Sequence, residues 1–167
     1  NPAATEATTA YWQALLPAAP ADAAPPWRLG VPVPLPDGRW LRLPIRALPH
    51  EPAAGVASLL LNHASFEVAD ALAALLTERV AALQPEVVVG LPTLGLGLAA
   101  AVARGLGHAR CVPLGTSRKF WYDEAWSAEV VSVTSPVPGK RVYLDPHLLP
   151  LVQGRRVLLV DDTVSTV

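Results

Sequence analysis

The sequence predicts an α/β fold, a doubly wound and mostly parallel sheet flanked by helices, and three observations predict it. Short apolar runs at residues 86–89, 109–114 and 156–160 read as strands. A segment rich in small apolar residues, 96–106, separates the first two and runs into Gly105 and Gly107, a helix stop. Strand, helix, strand and then a further apolar strand is the order of crossover units, whose strands are parallel. Finally, a tight loop at 90–95 and the pair Asp161-Asp162 each follow a strand directly. Those are the carboxyl ends of strands, where open α/β sheets bind ligands.

Taken in order, residues 1–26 are rich in Ala and Pro. Thr8 or Thr9 caps a short predicted helix through Tyr11, Trp12, Leu15 and Leu16, which Pro17 ends. Residues 31–35 and 40–45 are predicted strands around Pro36-Asp37-Gly38, a turn signal, and their prolines confine them to a sheet edge. A helix is predicted from Ser65, with Glu67 favourable in its first turn and an apolar stripe of Phe66, Ala69, Ala73, Leu76, Val80 and Leu83. Pro85 closes it. Beyond residue 114 lies a long aromatic-rich insertion, 115–139, with 129–134 and 141–145 as the strands of a flexible hairpin. Pro146, Pro150 and Gly154 punctuate the approach to the last strand. The expectation is a single domain over 1–167, with residues 1–60 as an extension hooding the ligand edge of a core at 61–167.

At 167 residues, 51% of them hydrophobic, the chain has ample material for one core. A net charge of -1 gives no general attraction to nucleic acid or to an anionic membrane, so any polyanion must be held by a local site. No apolar run reaches the roughly 20 residues of a membrane span. The single cysteine, Cys111, rules out an internal disulfide framework and fits a reducing cytoplasm. His63, His108 and His147 lack metal-ligand spacing. The chain opens with Asn1 and contains no methionine, which predicts a trimmed or partial product.

The most informative stretch is Val157-Leu158-Leu159-Val160-Asp161-Asp162-Thr163-Val164-Ser165-Thr166-Val167. Paired carboxylates engage ribose hydroxyls or a metal-bound ribose, while backbone N–H groups and hydroxyls just after them wrap a phosphate. Three rival readings share parts of the pattern. A nucleotidase's acidic strand needs a glycine-rich GxxxxGK[ST] loop, and Gly139-Lys140 is followed by Arg141 instead. A receiver domain opens on its acidic strand, whereas this strand closes the sequence. The third is a buried strand ending in two solvated acids. Upstream, Gly90-Leu91-Pro92-Thr93-Leu94-Gly95 joins a strand to a helix, so its backbone N–H groups and the helix dipole favour an anion.

These motifs resemble the type I phosphoribosyltransferases. The acidic strand and hydroxyl-lined turn are similar to that family's loop for phosphoribosyl pyrophosphate (PRPP), and 90–95 is similar to its pyrophosphate loop. Asn62-His63-Ala64-Ser65-Phe66 before a helix resembles the purine enzymes, as does Val112-Pro113-Leu114-Gly115-Thr116-Ser117 running into Arg118-Lys119. The resemblance runs from about Asn62 to the C-terminus. It implies displacement of pyrophosphate from C1 of PRPP by a base nitrogen, with Mg²⁺ as cofactor, in a cytoplasmic homodimer. It assigns Asp161 and Asp162 to the ribose diol and Mg²⁺, and Thr163, Val164, Ser165 and Thr166 to the 5′-phosphate. Thr93, Leu94, Gly95, Arg118 and Lys119 receive the pyrophosphate. In Phe120-Trp121-Tyr122-Asp123-Glu124-Ala125-Trp126, the rings pack on a partner subunit, cover the hood or close as a lid; Tyr122, Asp123 and Glu124 are the candidates to handle a proton on the base.

Three departures qualify the match. Val167 stands where the family has Gly, and a β-branched residue disfavours the positive φ of a tight phosphate turn. No helix, last strand or last helix follows the loop, which predicts a truncated C-terminus. Ser165 occupies the position of an acid in hypoxanthine–guanine enzymes, so the layout is closer to adenine and xanthine enzymes, although 134–140 lacks the Glu-Tyr pair of the adenine class. The alternative is a PRPP-sensing regulatory or binding protein with little transferase activity. A DNA-binding version would need a basic module, and Arg28, Arg39, Arg42 and Arg46 are scattered.

Overall fold

The computed structural model describes residues 8–48, 51–130 and 139–163. The chain divides into two compact units, Asn1–Leu75 and Leu76–Val167.

The first unit holds an antiparallel meander of β1 (Gly30–Pro34), β2 (Trp40–Leu48) and β3 (Glu51–Ala57), in that spatial order. The predicted turn joins β1 to β2: Leu35 N–H donates to Arg39 O at 2.7 Å, and Gly38 takes φ +86°, which glycine adopts without a Cβ clash. Asp37 accepts from Arg39 through both backbone and side chain, and the Arg39 side chain, first among these, holds its carboxyl below the usual range.

Placing the proline-bearing strands at an edge needs correction for β2, which lies between the other two. The register shows why Pro44 is tolerated there. Residues 40–44 pair with β1 and residues 45–48 with β3. Pro44 sits at the handover, so its missing N–H interrupts neither ladder, while its carbonyl accepts from Ser58 N–H at 3.0 Å.

The predicted helix through Leu16 is also corrected. Only Thr8–Ala10 form a single 3₁₀ turn, and Trp12 leaves helical geometry at φ +59°. This lets the Trp12 indole become 2% exposed and donate to Ser58 O at 3.2 Å, while Tyr11 Oη–H donates to Leu29 O at 3.1 Å. Burying two large rings with their polar ends satisfied outweighs one more turn of an isolated short helix. Leu16 then exchanges two 2.8 Å backbone bonds with Trp40. Tyr11, Trp12, Leu41 and Val68 are the buried centre of this unit.

Helix α1 (Phe66–Ala81) begins where predicted, with Ser65 Oγ accepting from Val68 N–H at 3.2 Å. Its buried stripe runs through Val68, Ala73 and Val80; Phe66 and Leu83 are 88% and 64% exposed, so the predicted stripe fails at both ends. Phe66 is the first helical residue and Leu83 lies past the last. No helix among the described residues is long and apolar enough to cross a membrane.

The second unit contains a parallel sheet of β4 (Val87–Gly90), β5 (Val112–Pro113) and the last strand, with β4 central. Between β4 and β5 lies α2 (Gly95–Gly105). Gly90 packs so closely on α2 that a Cβ would stand 2.8 Å from Ala99 Cβ. The second predicted strand shrinks to two residues because its ladder reaches only Val89 and Gly90. Beyond β5 come a two-stranded hairpin of β6 (Ser127–Glu129) and β7 (Arg141–Tyr143), then α3 (Leu149–Val152), before β8 (Val157–Val160). The hairpin starts earlier than predicted, and 131–134 lies outside the described residues. Strand β8 pairs in parallel with β4 from Val87↔Val157 to Gly90↔Val160. It is an outer strand of this sheet, and Val157 and Leu159, two residues apart and so on one face, are 45% and 56% exposed.

Candidate active site at the carboxyl end of the parallel sheet

Parallel pairing in register brings the ends of β4 and β8 side by side. Leu91 N–H donates to Val160 O at 3.0 Å, and Leu114 N–H to Gly90 O at 3.0 Å, so three strand ends open onto one edge. The turn 91–94 and Asp161 are therefore neighbours. Gly95, buried at the start of α2, makes the approach possible: a Cβ there would stand 2.7 Å from Val160 O, 2.8 Å from Asp161 Cα and 2.9 Å from Asp161 Oδ1. Backbone cannot swing aside as a flexible side chain would. Glycine is required at this point by proximity.

Asp161 thus lies against the first turn of α2. That helix has no acidic residue of its own there, and Leu94 at its N-cap offers no side-chain acceptor. The helix end favours negative charge and leaves backbone donors for an anion. Asp161 Oδ1 also accepts from Asp162 N–H at 2.9 Å. Both aspartates are half-buried, and Thr93 and Thr163 are exposed. The Pro92–Thr93 peptide is cis. Val164, Ser165 and Thr166, assigned by resemblance to the 5′-phosphate, lie outside the described residues, as does Val167.

The remaining predicted residues form a second cluster in the insertion. Arg118 Nη1 pairs with Glu124 Oε1 at 3.1 Å, both exposed. Asp123 caps the 3₁₀ turn Glu124–Trp126 by accepting from Ala125 N–H at 2.9 Å, and Tyr122 N–H donates to Lys119 O at 3.0 Å. Phe120, Trp121, Tyr122 and Tyr143 form a chain of ring contacts, with centroids 4.8, 5.7 and 6.2 Å apart. Phe120 nevertheless remains 97% exposed. Among the described residues, no hydrogen bond or ion pair joins this cluster to Asp161 or to the turn before α2.

Sequence reasoning missed Asp145, which anchors the aromatic insertion. Its Oδ2 accepts from Trp121 Nε1–H at 3.2 Å, and its Oδ1 from His147 N–H at 2.9 Å. The His147 backbone N–H first, then Trp121 and the His147 ring, hold its carboxyl below the usual range, against a desolvation that pushes it up. The signal was available: Asp145-Pro146 is an N-cap followed by proline at the first helical position.

As a donor set for a metal, the strand end offers two adjacent carboxylates, and no group of three or more His, Cys, Asp or Glu gathers among the described residues. Such a set fits Mg²⁺, which keeps waters and takes substrate phosphate oxygens rather than a full protein cage.

No curated protein matches the chain. A family model described as "Phosphoribosyl transferase domain" matches residues 55–166, which include β4, α2, the insertion and β8. With well over half of its length matched, the chain belongs to the phosphoribosyl transferase domain family.

Proposed function

We propose that the chain transfers the 5-phosphoribosyl group of PRPP to a purine base, releasing pyrophosphate, with Mg²⁺ as cofactor. The observation that carries this reading is the close approach of Gly95 to Asp161, which sets an anion-favouring helix end against a ribose-binding carboxylate. Backbone N–H groups of 93–95 receive the pyrophosphate, and Arg118 and Lys119 add positive charge. Arg118 must first leave Glu124, an exchange that costs little for an exposed ion pair. Asp161 and Asp162 bind the ribose hydroxyls and are the residues that would hold Mg²⁺, which would supply charge neutralisation for the pyrophosphate. Thr163, Val164, Ser165 and Thr166 enclose the 5′-phosphate.

In the transfer, the C1–O bond to pyrophosphate breaks and a C1–N bond to the base forms. Positive charge develops at C1 while the leaving group gains negative charge. The carboxylates face the first and the helix end faces the second. The proton on the base nitrogen leaves to the carboxylate of Glu124 or Asp123, and the Tyr122 hydroxyl is available to hydrogen-bond the base. The purine preference rests on the order of segments 62–66 and 112–119 along the chain. The exposure of Phe120, Trp121 and Trp126 (97%, 45% and 45%) supports a homodimer that covers these rings.

Incubation with PRPP, Mg²⁺ and single nucleobases tests the reading by pyrophosphate release. Release with a purine and none without base is expected. Tight PRPP binding with no release for any base would overturn transfer and leave a PRPP-binding protein.

A further inference from the structure

We propose that the second unit carries a separate binding site for a small organic anion at the opposite, amino-terminal end of its parallel sheet. A cavity of about 270 Å³ opens there. Val87 at the start of β4, Val112 at the start of β5 and Leu151 of α3 form its apolar wall, and His108, Arg110 and Arg155 line the same space. Glu86 is the single carboxylate of the lining, and it is already engaged: Arg155 Nη1 lies 3.2 Å and Arg156 Nη1 3.7 Å from its oxygens. Among the described residues, the Arg110 guanidinium and the His108 ring have no hydrogen-bond or ion-pair partner.

Two cationic side chains and an imidazole around one paired acid leave a local positive excess, in a chain whose net charge is -1. A guanidinium beside a concave apolar wall recognises a carboxylate or phosphate monoester through parallel N–H···O bonds, while the wall takes an apolar body. The volume lies just below the ~300–1,000 Å³ of ordinary small-molecule sites, so the ligand is limited to roughly one ring and its anionic group. The reaction edge lies at the other end of β4, roughly 13 Å away for a four-residue strand. One small ligand cannot fill both places.

Phenyl phosphate and inorganic phosphate are the probes, titrated into the full chain while the His108 ring resonances are followed by NMR. The ring signals should move saturably with phenyl phosphate, at a Kd at least several-fold lower than for inorganic phosphate. In Arg110→Gln the Kd for phenyl phosphate should rise about tenfold or more, with an unchanged thermal melt. In Asp161→Asn it should stay as in the parent chain, because that residue belongs to the other end. Static His108 signals, equal affinity for the two probes, or an Arg110→Gln chain that binds as well as the parent would each overturn the proposal. His108→Gln, followed by calorimetry, is the second variant, and undiminished phenyl phosphate binding there would overturn it as well.

Discussion

The two ends of the parallel sheet treat their carboxylates in opposite ways. At the amino end, Glu86 accepts from Arg156 backbone N–H at 3.0 Å and pairs with Arg155 and Arg156, tying the start of β4 to the residues before β8. At the carboxyl end, Asp161 accepts from its neighbour's backbone and lies against a helix start; no Lys or Arg pairs with it among the described residues. One carboxylate is neutralised by the protein's own cations. The other is held by geometry and left to face something else. Charge that a protein positions without neutralising is a better guide to function than charge alone.

The largest expected effect comes from breaking the close approach itself. In Gly95→Ala the added Cβ meets two backbone atoms and a carboxylate oxygen inside 3.0 Å, so β8 and α2 must separate. Overpacking of this kind costs about 1–3 kcal/mol of stability. Misplacing the acidic edge by an ångström should lower transfer on the order of 100-fold. Chemical denaturation and pyrophosphate release measure the two. Unchanged turnover would show that the contact does not set the site.

Asp161→Asn keeps the shape and removes the charge. If the carboxylate holds ribose hydroxyls, affinity for PRPP with Mg²⁺ should fall about 10- to 100-fold, the worth of a hydrogen bond to a charged group. The thermal midpoint without ligand should barely move, because no cation loses its partner. Calorimetry with PRPP and a melt of the free protein separate the two. A chain that loses stability while keeping its affinity would make Asp161 structural, like Glu86.

Gly90→Ala probes the same strand on its packed side. Its Cβ would stand 2.8 Å from Ala99 Cβ and 3.3 Å from Leu96 Cδ2, contacts with α2 rather than with the acidic edge. Stability should drop by about 1–3 kcal/mol, with PRPP affinity changing less than in Asp161→Asn. Denaturant melts and calorimetry give the pair of numbers. If affinity falls further than stability, the contrast between packing glycine and approach glycine fails.

Much of this sheet was legible in the sequence because local signals there agree. Strand β4, helix α2 and strand β8 carry apolar runs, small residues and punctuating glycines that need no distant partner to be read. The motif 90–95 and Asp161-Asp162 could likewise be assigned to one edge, since parallel topology brings strand ends together. What failed was whatever depended on a distant partner. Trp12 leaves its helix for Ser58, Pro44 is admitted by a handover between β1 and β3, and β3 carried no signal strong enough to be read as a strand. The Glu86 staple joins residues some 70 positions apart, and no local pattern announces it.

That staple also gives the smallest and most specific expectation. The Arg156 backbone N–H, first, and the Arg155 side chain hold the Glu86 carboxyl below its ordinary value of 4.5. A group depressed on folding contributes stability that is present above its unfolded pKa and is lost as pH falls through the folded one. Glu86→Gln should therefore melt slightly below the parent chain near pH 7, with a gap that is constant down to about pH 5 and closes at lower pH. The side chain is 33% exposed, so water and salt screen the pair and the gap is small, shrinking further at high ionic strength. PRPP affinity should stay as in the parent, because the charge lies at the end of β4 remote from Asp161. Melting curves over pH and salt, with one PRPP titration, test it. A gap that widens on acidification would reverse the sign and remove the staple as its cause.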